Sequence, residues 1–347
     1  MKKKIVFTGG GTLGHVMPNL YLIDELRDQD WDITYIGSSG IERDKIREYG
    51  VNFVEIPAVK LVRGKIWRNL KIPFVLIRAI SRCKKELKRL NPDVVFSKGG
   101  YVSLPVCVAA RRLKIPIIAH ESDYSFGLAN KLILKLCNKM CVNFSHLEKK
   151  SEKIVYTGPI FSRRFDSVDG VEIHMDKSKP TLLIVCGSLG SKAINDLIYA
   201  SLSDILARFN VIHVTGKGNK RYPSYDNYVA YETAEDMVGL YNVADFVLGR
   251  SGAGVTAECF YKQLPMILIP LEKASRGDQL QNARYYEKLG VAKILHEEIL
   301  DPQKLLQEIV MFSDNISIYR EAYKNCNKTN GRLIVLDLIN AYVEKKK

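Results

Sequence analysis

Short β-branched and aliphatic runs alternate along this chain with longer stretches whose apolar positions recur at helical spacing. Residues 5–8 read as a strand, followed by a glycine loop and a helix from about His15 to Arg27. Further strands are predicted at 33–36, 53–56, 94–97, 115–119 and 140–143, with helical patterns between them. Such alternation predicts an α/β unit, a parallel sheet covered by helices on both faces. A less regular stretch begins at Val155, and the polar segment 166–180 reads as a linker. The pattern then restarts, with strands at 181–186, 211–215, 245–248, 266–269 and 292–295 and a helix running from the loop after 186 to about Arg208. Past Gly331, residues 332–344 form a last amphipathic helix. The expected architecture is two Rossmann-like domains, 1–165 and 166–347, with the last helix able to return to the first. Ligands should sit in a central cleft at the carboxyl ends of the strands.

Composition adds constraints. The 347 residues are 46% hydrophobic and 26% charged, as in an ordinary globular chain of about two domains. Seven dispersed cysteines without a CxxC argue against a disulfide framework or a zinc site. The start, MKKKIVFTGGG, lacks the apolar core of a signal peptide, and no apolar run is long enough to span a bilayer. The net charge is +14, and its excess lies in the first half. Between Lys60 and Arg89 stand eleven basic residues and one acid, Glu86, interleaved with Trp67, Leu70, Ile72, Phe74, Leu76 and Ile77. A basic face beside an apolar one suits an anionic membrane surface. A solvated basic helix with its apolar side in the core is the plain alternative. Nucleic acid ranks below both, since no binding module is recognisable.

Chemistry concentrates in loops after strands. Gly9, Gly11 and Gly14 form a GxGxxG loop between strand and helix, which lets a ligand approach backbone and helix N-terminus. A dinucleotide site would want an acid at the end of the second strand, but that strand ends Ile36-Gly37-Ser38-Ser39. His15 follows the loop, either as a neutral proton acceptor or as a histidine hydrogen-bonded within the turn. Lys98-Gly99-Gly100-Tyr101-Val102-Ser103 is a second glycine loop, and the pair could cradle a diphosphate. His120-Glu121-Ser122-Asp123 follows the fifth strand, with carboxylates that could orient a sugar hydroxyl, hold His15 or act as base; Asp123 could instead cap the next helix. In the second half, Gly187–Ser191 puts Ser188 near a helix N-terminus, suited to a phosphate oxygen. Arg250-Ser251-Gly252-Ala253-Gly254 could pass its backbone along a flat base, with Glu258 accepting from ribose hydroxyls. Arg276 to Asn282, including Gln279, offers amides and an acid for sugar hydroxyls. No metal-ligand spacing occurs, so no metal cofactor is expected. Diphosphate charge would fall to arginines, backbone N–H groups and helix dipoles.

Together these motifs resemble the MurG family of glycosyltransferases, over nearly the whole chain. Gly9–His15, Gly99–Ser103, His120-Glu121, Gly127–Lys131, Gly187–Ser191, Arg250–Ala253, Glu258, and Gln279 with Asn282 occur in the family's order. The resemblance implies a GT-B fold and inverting transfer of N-acetylglucosamine from UDP-GlcNAc to the C4 hydroxyl of lipid I. It implies no cofactor and no nucleic acid, and a peripheral position on the cytoplasmic face of the bacterial membrane. On this basis His15, Glu121 and Asp123 are expected at the catalytic centre. Thr12, Gly14, Gly99, Gly100, Tyr101, His120 and Asn130 are expected on the acceptor. Thr12, Leu13, Gly14, Arg163, Arg164, Ser188, Asn195, Arg250, Gly252, Ala253, Glu258, Gln279 and Asn282 are expected on the donor. Ile66, Trp67, Arg68, Leu70, Lys71 and Phe74 would meet the membrane. The chain departs from the family's pattern at Leu13 and Leu189, and at Ser122-Asp123, where many members read Gln-Asn. Its junction arginine is shifted, so that Arg163 and Arg164 compete for the diphosphate. A transferase acting on another lipid such as diacylglycerol, a UDP-sugar epimerase, and a non-catalytic nucleotide-sugar or membrane-binding module are the alternatives.

Overall fold

In the computed structural model, which describes residues 2–58, 71–219, 223–272 and 277–344, the first half builds a seven-stranded parallel sheet. Its strands are β1 (Lys3–Thr8), β2 (Trp31–Gly37), β3 (Asn52–Glu55), β4 (Val94–Ser97), β5 (Ile117–Glu121), β6 (Lys139–Val142) and β7 (Ile154–Tyr156), in the order β3-β2-β1-β4-β5-β6-β7. Successive side chains of a strand point to opposite faces. Ile5 and Phe7 therefore join Leu20, Ile23 and Ile339 in one core layer, while Val6 joins Leu87, Val106 and Ile133 in the other. The order of connection reverses between β1 and β4, where a doubly wound sheet leaves its ligand crevice.

The second half repeats the plan with β8 (Thr181–Val185), β9 (Asn210–Val214), β10 (Tyr228–Tyr231), β11 (Phe246–Gly249), β12 (Met266–Leu268) and β13 (Ala292–Ile294). The order is β10-β9-β8-β11-β12-β13, all parallel, and the reversal lies between β8 and β11.

Several sequence expectations change. Edge strands β7 and β10 add to those expected; they are only three and four residues long, Ile154-Val155-Tyr156 and Tyr228-Val229-Ala230-Tyr231. The helix expected from His15 is a 3-10 turn, Leu13–His15, followed by an α-helix, Met17–Arg27. The helix expected to reach Arg208 breaks into Lys192–Ala200 and Leu202–Arg208 at Ser201, whose hydroxyl bonds the carbonyls of Leu197 and Pro302. The chain divides into Met1–Ser162 with Thr329–Lys347, and Arg163–Lys328. The boundary thus falls just before Arg163, not after Phe165. The last helix, Arg332–Glu344, packs Val335, Leu336, Ile339 and Val343 into the first unit's core. Its Arg332 forms a nearly buried ion pair with Glu25 at 3.2 Å.

Candidate active site

Two glycine loops flank the reversal of the first sheet. The loop after β1 is held from beneath. Tyr35 Oη donates to the Gly9 carbonyl at 2.8 Å, and Asn19 Nδ2 donates to Tyr35 Oη at 3.0 Å. The fully buried Glu42 carboxylate accepts the backbone N–H groups of Gly11 and Ser38 at 3.1 and 3.0 Å, and bonds the Ser38 hydroxyl. Glu42 supplies the acid that the end of β2 lacks, but it serves the loop and not a ribose. Sequence reasoning missed it; the available signal was a carboxylate four residues before buried Ile46 on the inner face of the helix Ile41–Glu48.

The loop after β4 closes on the first. Gly99 and Gly100 take φ of +89° and +81°, where any side chain is strained. A Cβ on Gly100 would come 2.9 Å from the Gly10 carbonyl and 3.4 Å from His15 Nδ1. One on Gly99 would strike the Asn130 amide, and one on Gly11 the Tyr101 ring. Ser97 Oγ accepts the Gly99 N–H, and Ser103 Oγ donates to the Gly99 carbonyl at 2.7 Å. His15, in its 3-10 turn, is thereby placed where the loops meet. Its Nδ1 lies 3.1 Å from the Gly10 carbonyl and 3.2 Å from Thr12 Oγ1. A carbonyl only accepts, so Nδ1 carries the proton, and the lone pair of the neutral imidazole is on Nε2. Thr12 and Gly14 are exposed and Leu13 is half-buried beside it.

The third segment sorts into lining and support. Glu121 closes β5 and is almost buried. Its oxygens accept from Asp123 N and Gly127 N, both at 3.0 Å, and from Asn130 Nδ2 at 2.9 Å. With three donors on one carboxylate, Glu121 staples the loop that presents half-buried Asp123. His120, expected on the acceptor, is corrected to a support. Its imidazole is 0% exposed, Nε2 faces the Gly158 carbonyl at 3.4 Å, and burial holds its pKa well below the usual range. Asn130 is likewise buried, spanning the His120 carbonyl and Glu121 beneath Gly99.

In the second unit, the loop after β8 lies against the loop after β9, and a Cβ on Gly190 would fall 1.9 Å from the Thr215 carbonyl. Ser188 is exposed in this loop, whereas Ser191 caps the helix Lys192–Ala200. Asn195, expected on the donor, is buried. It donates to the Thr215 carbonyl at 2.9 Å and faces His213 Nε2 at 3.0 Å. His213 also meets Tyr228 Oη at 3.0 Å, and burial lowers its pKa to about 4. Arg250 is also turned inward. It is 7% exposed, donates to the Ile269 carbonyl at 3.1 Å and to Ser191 Oγ at 2.9 Å, and pairs with Glu297. Asn282 is fully buried against the Ser251 carbonyl. All three brace the loops, because a buried polar group must spend its hydrogen bonds inside the protein.

What remains open lies nearby. Gly252 precedes the helix Ala253–Tyr261, and a Cβ on it would meet nothing within 4 Å. Glu258, one turn in, accepts from Tyr241 Oη at 2.7 Å, while burial pushes its carboxyl upward. Half-buried Gln279 accepts from Leu271 N at 2.9 Å. Of the competing arginines, Arg164 pairs with Asp236 at 2.7 Å and with Asp169 at 3.5 Å, whereas Arg163 is exposed.

The helix Ile72–Leu90 buries Ala79, Cys83 and Leu87 and leaves Phe74 and Ile77 73% and 65% exposed among Lys71, Arg78 and Arg82. Ile66, Trp67, Arg68 and Leu70 lie outside the described residues. Among the described residues no helix is long and apolar enough to cross a membrane, and no cluster of three or more His, Cys, Asp or Glu could hold a metal ion.

Residues 5–142 match the glycosyltransferase family 28 N-terminal domain, and residues 181–334 match its C-terminal domain. A UDP-N-acetylglucosamine–N-acetylmuramyl-(pentapeptide) pyrophosphoryl-undecaprenol N-acetylglucosamine transferase of Clostridium tetani is 40% identical, with both chains covered completely. A relative named as transferase 2 of that kind, from Bacillus cereus, is 37% identical over 97% of this chain and 98% of its own. The crystal structure of Acinetobacter baumannii MurG superposes with a TM-score of 0.76 at 24% identity, covering 98% of this chain and 99% of that one.

Proposed function

The chain belongs to the MurG family within glycosyltransferase family 28, and on that premise we propose that it transfers N-acetylglucosamine from UDP-GlcNAc to lipid I, forming lipid II. The observation that carries this reading is the closure of the two glycine loops around His15, with Nδ1 held by a carbonyl. His15 Nε2 takes the proton of the acceptor's C4 hydroxyl as that oxygen attacks the anomeric carbon. The new C–O bond forms as the bond to the β-phosphate breaks, the configuration inverts, and UDP leaves with the electron pair. Asp123 orients the acceptor sugar. Arg163 and the helix N-terminus at Gly252 and Ala253 meet the leaving charge, so the transfer needs no metal. Glu258 accepts from the ribose, Gln279 and Ser188 hold the rest of the donor, and Thr12, Leu13 and Gly14 approach the transferred sugar.

The test supplies purified protein with UDP-GlcNAc and a lipid I analogue in excess chelator. Release of UDP with formation of the disaccharide is expected. No product sinks the reading, product only with diacylglycerol changes the acceptor, and a Mg²⁺ requirement removes the metal-free part.

Phe74, Ile77 and the surrounding Lys71, Arg78 and Arg82 support docking of the first unit on an anionic membrane, at the cytoplasmic face where the nucleotide sugar is available. Replacing Phe74 and Ile77 by Ser should abolish sedimentation with phosphatidylglycerol vesicles while leaving turnover of a short-chain acceptor intact.

A further inference from the structure

Lys98 has no part in the reaction as described, yet it sits at its centre. It follows β4 directly before Gly99, it is 1% exposed, and a Cβ on Gly9 would lie 3.1 Å from its own Cβ. Its stem is therefore packed under the first glycine loop. Its ammonium donates to Ser122 Oγ in the loop after β5. One side chain thus ties together the three segments that present His15, Gly100 and Asp123. A buried lysine is costly unless its charge is compensated, and here the carboxylates of Glu121 and Asp123 both act on it.

Resting on the transferase reading above, we propose that Lys98 is a positioning residue of the acceptor side, whose ammonium holds the Ser122–Asp123 turn against the paired glycine loops. Ser122 is short, and a long amine arriving from β4 supplies the reach that its side chain lacks. The groups facing Lys98 are Glu121 and Asp123, which favour its charge, and His120 and Cys141, both fully buried. Burial lowers the amine from the usual 10.5 to about 8. The tie therefore weakens as pH rises through about 8, and turnover should fall there without loss of donor binding.

The experiment measures kcat and both KM values between pH 6.5 and 10 for wild type, Ser122→Ala, Lys98→Met and Lys98→Arg, with thermal melts to confirm folding. In wild type an alkaline fall in kcat/KM for the acceptor is expected near pH 8, at constant KM for UDP-GlcNAc. Ser122→Ala removes the acceptor of this tie, so it should lower kcat at neutral pH and flatten the alkaline fall. Lys98→Met should lower kcat on the order of tenfold at neutral pH and abolish the fall. Lys98→Arg, charged throughout, should restore part of the rate if it folds and remove the alkaline fall from the range up to pH 10. An alkaline fall at the same pH in wild type, Ser122→Ala and Lys98→Met overturns the proposal, as does full neutral-pH activity in Lys98→Met. Wild-type protein inactive at every pH would instead overturn the transferase reading itself.

Discussion

The two sheets reverse their connections in the same way, yet the loops at the two reversals are built differently. In the first unit the loops after β1 and β4 are closed on each other and on their supports at glycines that leave no room for a side chain. Gly11 lies under Tyr101, Gly99 against Asn130, and Gly100 against His15. In the second unit Gly190 is crowded by Thr215 and Gly216, and Gly249 by the Val185 carbonyl of the neighbouring strand. Gly187, Gly252 and Gly254 face open space. The first unit spends its glycines on fixing one imidazole. The second keeps backbone accessible at the start of a helix. A reacting base gains from preorganisation, because misplacement by about 1 Å can cost roughly a hundredfold in rate. A nucleotide needs room and exposed N–H groups.

The largest expected effect tests the fixed imidazole. His15→Ala should lower kcat by about 10²–10⁴-fold, with the KM for UDP-GlcNAc unchanged. A kcat within about threefold of wild type would move the base elsewhere. Next comes the contrast between glycines. Gly100→Ala should destabilise the first unit by about 2 kcal/mol or more, from positive φ and the clash with the Gly10 carbonyl. Gly252→Ala should leave the melting temperature unchanged and raise the donor KM. Equal thermal losses in the two variants would erase the distinction between closed and open loops.

A pH series compares the supports. Unfolded His213 takes up a proton below about 6.5, whereas in the folded chain it does so only near 4. The unfolded state thus binds more protons in between, and stability falls as pH drops through that window, by about 3 kcal/mol in full. Denaturant titrations of His213→Gln should show a shallower acid dependence than wild type. An unchanged slope would mean that other groups carry it. The smallest effect separates the arginines. Arg163→Ala should raise the donor KM about tenfold. Arg164→Ala should leave the donor KM unchanged and barely alter stability, since its pairs with Asp236 and Asp169 are partly exposed.

The glycine loops, His15 and the two-sheet plan were legible because each is written in adjacent residues. Glycines between a strand run and a helical run, with a histidine next in line, need no tertiary knowledge to find. His120, Asn130, Asn195, Arg250 and Asn282 stand in the same motifs and were expected on ligands, but their side chains are buried in bonds that brace the loops. Motif membership reports that a residue is near a site; it does not say whether its side chain faces the ligand or the loop's underside. Glu42 and the tie made by Lys98 were invisible for a related reason. Each bonds a segment to which no local pattern connects it, Gly11 in one case and Ser122 in the other.

By itself, the sequence determined what local periodicity and punctuation control: which stretches become strands and helices, where the chain must turn through glycine, and which half carries the positive charge. Tertiary structure alone decided which polar groups support and which line the loops, and that the final helix joins the first unit. Those outcomes depend on hydrogen bonds and packing between residues distant in sequence. A buried polar side chain takes whichever partner the fold brings within about 3 Å, and that partner is known only once the sheets have closed.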